Sequence, residues 1–177
     1  WRNDDGLEQA TTDTLSLNSS GYNSYSSGSS ISLTTTVNAG ADRVMVVAVS
    51  FARSTTTFPL PTVSSISLNG SAMTSVVSAN NSSYASASLY YLVNPPTGNP
   101  VLSITLSSSL YGASDYVEAV VGYVVYNGAD PSNPVRDSSS ATGLDASPTV
   151  TVASAPGDWV IGAAQTRLGT AISFSTV

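Results

Sequence analysis

The 177-residue sequence predicts an all-β fold, a two-sheet antiparallel sandwich wound in jelly-roll fashion. Three observations carry that prediction. About ten short runs rich in Val, Ile, Thr and Tyr are separated by Gly, Pro, Asn and Ser clusters, the spacing expected of a sandwich or barrel. No stretch keeps a 3.6-residue apolar period over three turns. The β-branched and aromatic bias disfavours helix independently of the periodicity.

The elements follow in order. Residues 1–12, WRNDDGLEQATT, are polar and charge-rich and form an N-terminal arm; the domain proper runs over 13–177. TLSL opens the β pattern, and the Ser/Gly/Tyr/Asn stretch Asn18 to Ser30 has loop composition. ISLTTTV puts Ile31, Leu33, Thr35 and Val37 on one face. DRVMVVAVSFA (42–52) is apolar on both faces, as a central strand should be. Residues 63–77 give two strands around Asn69-Gly70, a dipeptide that favours the tight type I′ hairpin. SASLYYLV (86–93) and VLSITLS (101–107) flank the Pro-interrupted loop NPPTGNP. DYVEAVVGYVVYNGA (115–129) is the longest apolar strand. After the loop 130–147 come PTVTVAS (148–154), the turn APGD, WVIGAAQT (159–166) and AISFSTV (171–177), all expected as strands except the turn.

Composition narrows the function. Charged residues make up 9%, against a usual share of about 25%. Ser and Thr together approach a third of the chain, so hydroxyls and amides solvate its surface. The net charge of −6 and the lack of any basic cluster remove the electrostatic driving force for nucleic acid. No apolar run reaches the roughly 18 residues that span a bilayer. The five cations are all Arg; His, Lys and Cys are absent. A Ser-His-Asp relay, a thiolate nucleophile, a Schiff base and a typical zinc site therefore cannot be built. A carboxylate pair of the glycosidase kind is the catalytic option left. Glu118, among apolar neighbours on the face of Val120 and Gly122, is the residue to weigh for it; a sheet-end or face position paired with an Arg or a Tyr hydroxyl explains it as well. The expectation is a protein without enzymatic activity.

Binding chemistries remain. Asn18, Asn69, Asn80 and Asn81 each begin an N-x-Ser sequon in a predicted turn or loop, and glycans are attached at such sites. Asn80 and Asn81 overlap, so at most one is used. Asn69 is explained equally by its turn. Ca²⁺ takes carboxylate and carbonyl oxygens. Asp4 and Asp5, with Asn3, and Asp130 and Asp137, with Asn133, offer such ligands, and Asx-turns account for both sets equally well. Tyr22, Tyr25 and Tyr84 lie in predicted loops, placed for ligand stacking or for subunit contacts, while Trp159 is expected in the core.

The order of segments resembles a secreted β-sandwich module that recurs in bacterial and archaeal surface proteins. The resemblance runs roughly over residues 13–165, through RVMVVAVSF, VSSISLNGSAMTSV, ASLYYLVNPPTGNPVLSITLSS, VVGYVVYNGADPSNPVRD and SPTVTVASAPGDWVIGA. Its most specific parts are Leu-Tyr-Tyr-Leu-Val-Asn-Pro-Pro-Thr-Gly and Val-Tyr-Asn-Gly-Ala-Asp-Pro. It implies a jelly-roll-like sandwich in an extracellular setting and brings no catalytic residues. Members usually continue past a stretch like AISFSTV. The stop at Val177 therefore implies either a piece of a longer chain or a sheet completed by a neighbouring subunit, the latter in loose analogy to archaeal extracellular filament subunits. A start at Trp1 fits a processed product or a fragment, a removed signal peptide being the simplest reason. The expected function is a homopolymeric subunit of a surface filament, sheath or layer, with the N-terminal arm as strand donor. Second is a carbohydrate-binding or adhesive module of a larger secreted protein, and third a viral jelly-roll capsid or spike protein.

Overall fold

A computed structural model describes residues 15–54, 59–81, 84–111, 117–143, 149–166 and 169–171. It is all-β, with two antiparallel sheets packed face to face. The elements are β1 (Ser16–Tyr25), β2 (Gly28–Thr34), β3 (Val44–Arg53), β4 (Val63–Leu68), β5 (Ser71–Ala72), β6 (Thr74–Asn81), β7 (Ala85–Val93), β8 (Val101–Leu110), β9 (Val117–Asn127) and the short pair β10 (Ala164–Thr166) and β11 (Gly169–Ala171).

The winding follows from the registers. β1 pairs with β9, β2 with β8, β3 with β7 and β4 with β5, all antiparallel, as in one long hairpin. Successive rungs alternate between the sheets, and the β3·β9 and β4·β8 ladders join the rungs within each sheet. The orders β1-β9-β3-β7-β6 and β2-β8-β4-β5 are those of a jelly roll with one strand added. That strand, β6, comes from a split. The chain leaves the Asn69-Gly70 turn, where φ is +46° and +86°, pairs briefly as β5, and crosses at buried Met73 to the edge of the other sheet.

The main core lies between the sheets. Met45, Val47, Val49 and Phe51 of β3 and Ala119, Val121, Tyr123 and Val125 of β9 face Ile31, Leu68, Leu102 and Ile104. Both central strands are largely apolar on both faces because part of the outer face of the five-stranded sheet is covered too. There Val44, Val124, Tyr126 and Ala129 form a second cluster with Leu15, Val46, Tyr91, Trp159 and Ile161. Tyr123 closes one side of the sandwich. Its ring lies over Gly21, where an added Cβ would stand 2.8 Å from the ring edge, and its hydroxyl accepts the Thr36 N–H at 2.9 Å.

The structure corrects two expectations from sequence. Asn18–Ser30 is not a loop: it forms most of β1 and the start of β2. β1 is an edge strand against β9, so its side chains need not be apolar, and context outweighs composition. Residues 149–163 form no ladder despite the alternation of PTVTVAS and WVIGAAQT; only Ala164–Thr166 pairs, with Gly169–Ala171. Trp159 and Ile161 of this segment meet the sheet through side chains on its outer face, and a face offers no backbone partners. The expected strand 171–177 lies outside the described residues beyond Ala171, as do the N-terminal arm, Asp4 and Asp5.

Candidate functional site

Two features of the outer surface follow from this architecture: a groove over the five-stranded sheet, and the open edge of β1.

The groove forms because the long excursion after β9 folds back over the sheet. Its floor is apolar, made by Val44 and Val46 of β3, Val76 and Val77 of β6 and Leu89 of β7. Tyr126 and Trp159 form one wall, with rings in edge-to-face contact at 4.7 Å and 75°. Trp159 thus packs, half-buried, in the outer cluster and not between the sheets. Burial raises the Tyr126 phenol above its ordinary pKa. The volume is about 410 Å³, within the size range of small-ligand sites.

The roof is held by its own carboxylates. Asp158 accepts from Arg136 Nε at 2.6 Å and from the Ala155 N–H at 2.7 Å. Asp137 accepts the Ala153 N–H at 2.7 Å and the Ser138 N–H at 2.8 Å. Both are held below the usual carboxylate range, Asp158 chiefly by Arg136 and Asp137 chiefly by the Ala153 amide. Asp130 Oδ1 accepts the Ser132 N–H at 2.8 Å, an Asx-turn. Asp130 and Asp137, weighed above as calcium ligands, are thus engaged with backbone amides. Among the described residues no three acidic, His or Cys side chains gather into a metal site. Glu118 is exposed, opposite Ala52 in the ladder, and among the described residues it makes no ion pair.

Among the described residues, the β1 edge carries the most exposed aromatic. Tyr22 is 80% exposed and Leu17 58%; both belong to the outer face of the strand, opposite Gly122 and Tyr126. The shared face depends on a bulge between Leu17 and Ser19, which shifts the alternation by one residue. Sequence placed Tyr22 and Tyr25 in a loop; they stand on a strand instead. Tyr25 points inward, packs on the core and donates its hydroxyl to Ser32 O at 3.0 Å. Tyr84 is half-buried in the turn after β6, its N–H bonded to Asn81 O.

The sequons occupy unlike sites. Asn18 sits in the β1 bulge, not in a turn. Its Nδ2 donates to Asn38 O at 3.0 Å and to Asn127 Oδ1 at 2.8 Å, and its Oδ1 accepts the Asn38 N–H at 2.8 Å. Asn38 Nδ2 donates back to Asn18 O. This amide clasp, which sequence reading missed, would be legible only with the bulge known. Asn69 keeps its predicted turn and adds a tie to β8, its Oδ1 accepting the Val101 N–H at 2.8 Å. Asn80 and Asn81 are on β6, not in a loop; Asn80 is exposed and Asn81 half-buried.

No protein-family model, curated protein or solved structure matches the chain.

Proposed function

We propose that the chain is a non-catalytic structural subunit of an extracellular filament, sheath or layer, joined to its neighbours through β-strand and loop contacts. The observation that carries this reading is the edge of β1. It is ten residues long, SLNSSGYNSY, with no charge and no Pro, and it exposes Leu17 and Tyr22 on one face. Edge strands in proteins that stay apart usually carry Lys, Pro or inward charges that block pairing. Here Asn38 and Thr36 cover the edge at Asn18 and Ser19, Asn23 Oδ1 accepts the Ser24 N–H at 2.9 Å, and the other alternate backbone groups of Ser20–Tyr25 face outward. A strand added there gains main-chain hydrogen bonds and covers the two apolar side chains. The resemblance to secreted surface modules and the uncharged, hydroxyl-rich surface support the extracellular setting.

Electron microscopy of the full chain beside the Tyr22→Lys variant tests the proposal. Tyr22 is exposed enough for the substitution to leave stability within about 0.5 kcal/mol. Polymers from the parent and dispersed particles from Tyr22→Lys are expected. A parent chain that stays monomeric at every concentration would end this reading.

The groove favours a second one, a carbohydrate-binding or adhesive module, with half-buried Trp159 as the stacking residue. Retention on a glycan column that Trp159→Ala abolishes would support it. Viral capsid subunits share the jelly-roll winding, and closed shells in the same micrographs would point to them.

A further inference from the structure

The other edge of the five-stranded sheet raises a separate question. β6, TSVVSANN, is eight residues long and also lacks charge and Pro. A bulge between Ser75 and Val77 disturbs its first half, and Ser140 Oγ donates to Ser78 O at 3.3 Å. Past Ser78, among the described residues, the bond from the Tyr84 N–H to Asn81 O is the one additional tie made by the strand's end. Unprotected edges of this kind invite pairing with other chains.

Asn80 stands in that stretch, at the head of the sequon Asn80-Asn81-Ser82. We infer that Asn80 is the acceptor of an N-linked glycan, and that the glycan guards the free end of β6 against strand addition. The geometry separates Asn80 from the other three sequons. Asn18 has both Nδ2 hydrogens committed, and glycosylation must remove one of them. Asn69 lies in a closed two-residue turn with φ at +46° and its Oδ1 held by β8, so its sequon is not extended. Asn81 is half-buried. Asn80 is exposed on an extended strand, and its side chain makes no hydrogen bond among the described residues.

The chemistry is a transfer from a polyprenyl-diphosphate-linked oligosaccharide. Asn80 Nδ2 loses a proton and bonds to C1 of the first sugar. The C1–O bond to the diphosphate breaks, and the polyprenyl diphosphate leaves with the electron pair. A glycan is a bulky, strongly hydrated group, which an incoming strand cannot displace without losing that hydration. The inference does not rest on assembly through β1.

The test secretes the full chain from a host with N-glycosylation machinery and maps the glycan by mass spectrometry. Occupancy at Asn80 is expected, with Asn18 unmodified. Asn80→Gln and Ser82→Ala should each abolish it. Ser83→Ala, which breaks only the Asn81 sequon, should leave it in place. An unmodified chain, a glycan on Asn18, or a glycan surviving Ser82→Ala would overturn the assignment. The guarding role is read in the Tyr22→Lys background, where pairing through β1 is blocked. Enzymatic removal of the glycan should raise thioflavin-binding aggregate at least several-fold. An unchanged level would overturn that half of the inference.

Discussion

Tyr123→Phe tests how the sandwich is closed beside β1. The substitution keeps the ring over Gly21 and removes one oxygen, the acceptor of the partly buried Thr36 N–H. Packing is retained, so the loss is that of one hydrogen bond with its donor left unsatisfied, about 1–3 kcal/mol. For a chain of this length each kcal/mol lowers Tm by roughly 2–4 °C, which places the expected drop at about 3–6 °C for a loss near 1.5 kcal/mol. Urea denaturation should show a lower midpoint with an unchanged slope, since the surface exposed on unfolding is the same. Tyr91→Phe is the control, because Tyr91 packs on the outer cluster and its hydroxyl has no hydrogen bond among the described residues. If Tyr123→Phe matches Tyr91→Phe, the Tyr123–Thr36 bond does not hold the two layers together.

Other outcomes follow from the same contacts. Val47→Asp and Val121→Asp should each abolish the cooperative transition, because both side chains are 0% exposed and an unpaired charge would be buried; a soluble Val121→Asp protein with native circular dichroism would contradict the strand facing. The groove's roof should loosen in acid. Asp137 and Asp158 have folded pKa values below the unfolded value of about 3.9, so their contribution is complete above that value and is lost as pH falls through the folded ones. Trp159 fluorescence in a Trp1→Phe background should therefore hold steady from pH 7 to 5 and change below about 4. A transition centred between 5 and 7 would exclude these carboxylates as the cause. Thermal stability should depend little on salt, since among the described residues the one ion pair joins an exposed Arg136 to a partly exposed Asp158. A marked loss of Tm in about 1 M salt, where the screening length is near 3 Å, would contradict that.

The pattern of apolar runs made the fold class legible, and the Asn69-Gly70 turn and the apolar strands at 42–52 and 115–129 were placed within a few residues. The errors share a physical origin: sequence reports side-chain character, whereas a strand needs a neighbour's backbone. SLNSSGYNSY reads as a loop and is a strand because β9 offers it an edge. WVIGAAQT reads as a strand and pairs only at its end, because its Trp159 and Ile161 lie against a face. The amide clasp of Asn18 and Asn38 and the closure of Tyr123 over Gly21 join residues 20 and 102 positions apart, and no local pattern announces either. The groove was invisible for the same reason, since its floor and roof come from opposite halves of the chain.

Amide hydrogen exchange on the assembled and dispersed forms of the full chain is the most direct test of assembly through β1. Slowed exchange on assembly at alternate amides within Ser20–Tyr25, with β6 unaffected, is the predicted result. Assembly that leaves those amides exchanging as fast as in the dispersed protein would show that subunits meet elsewhere.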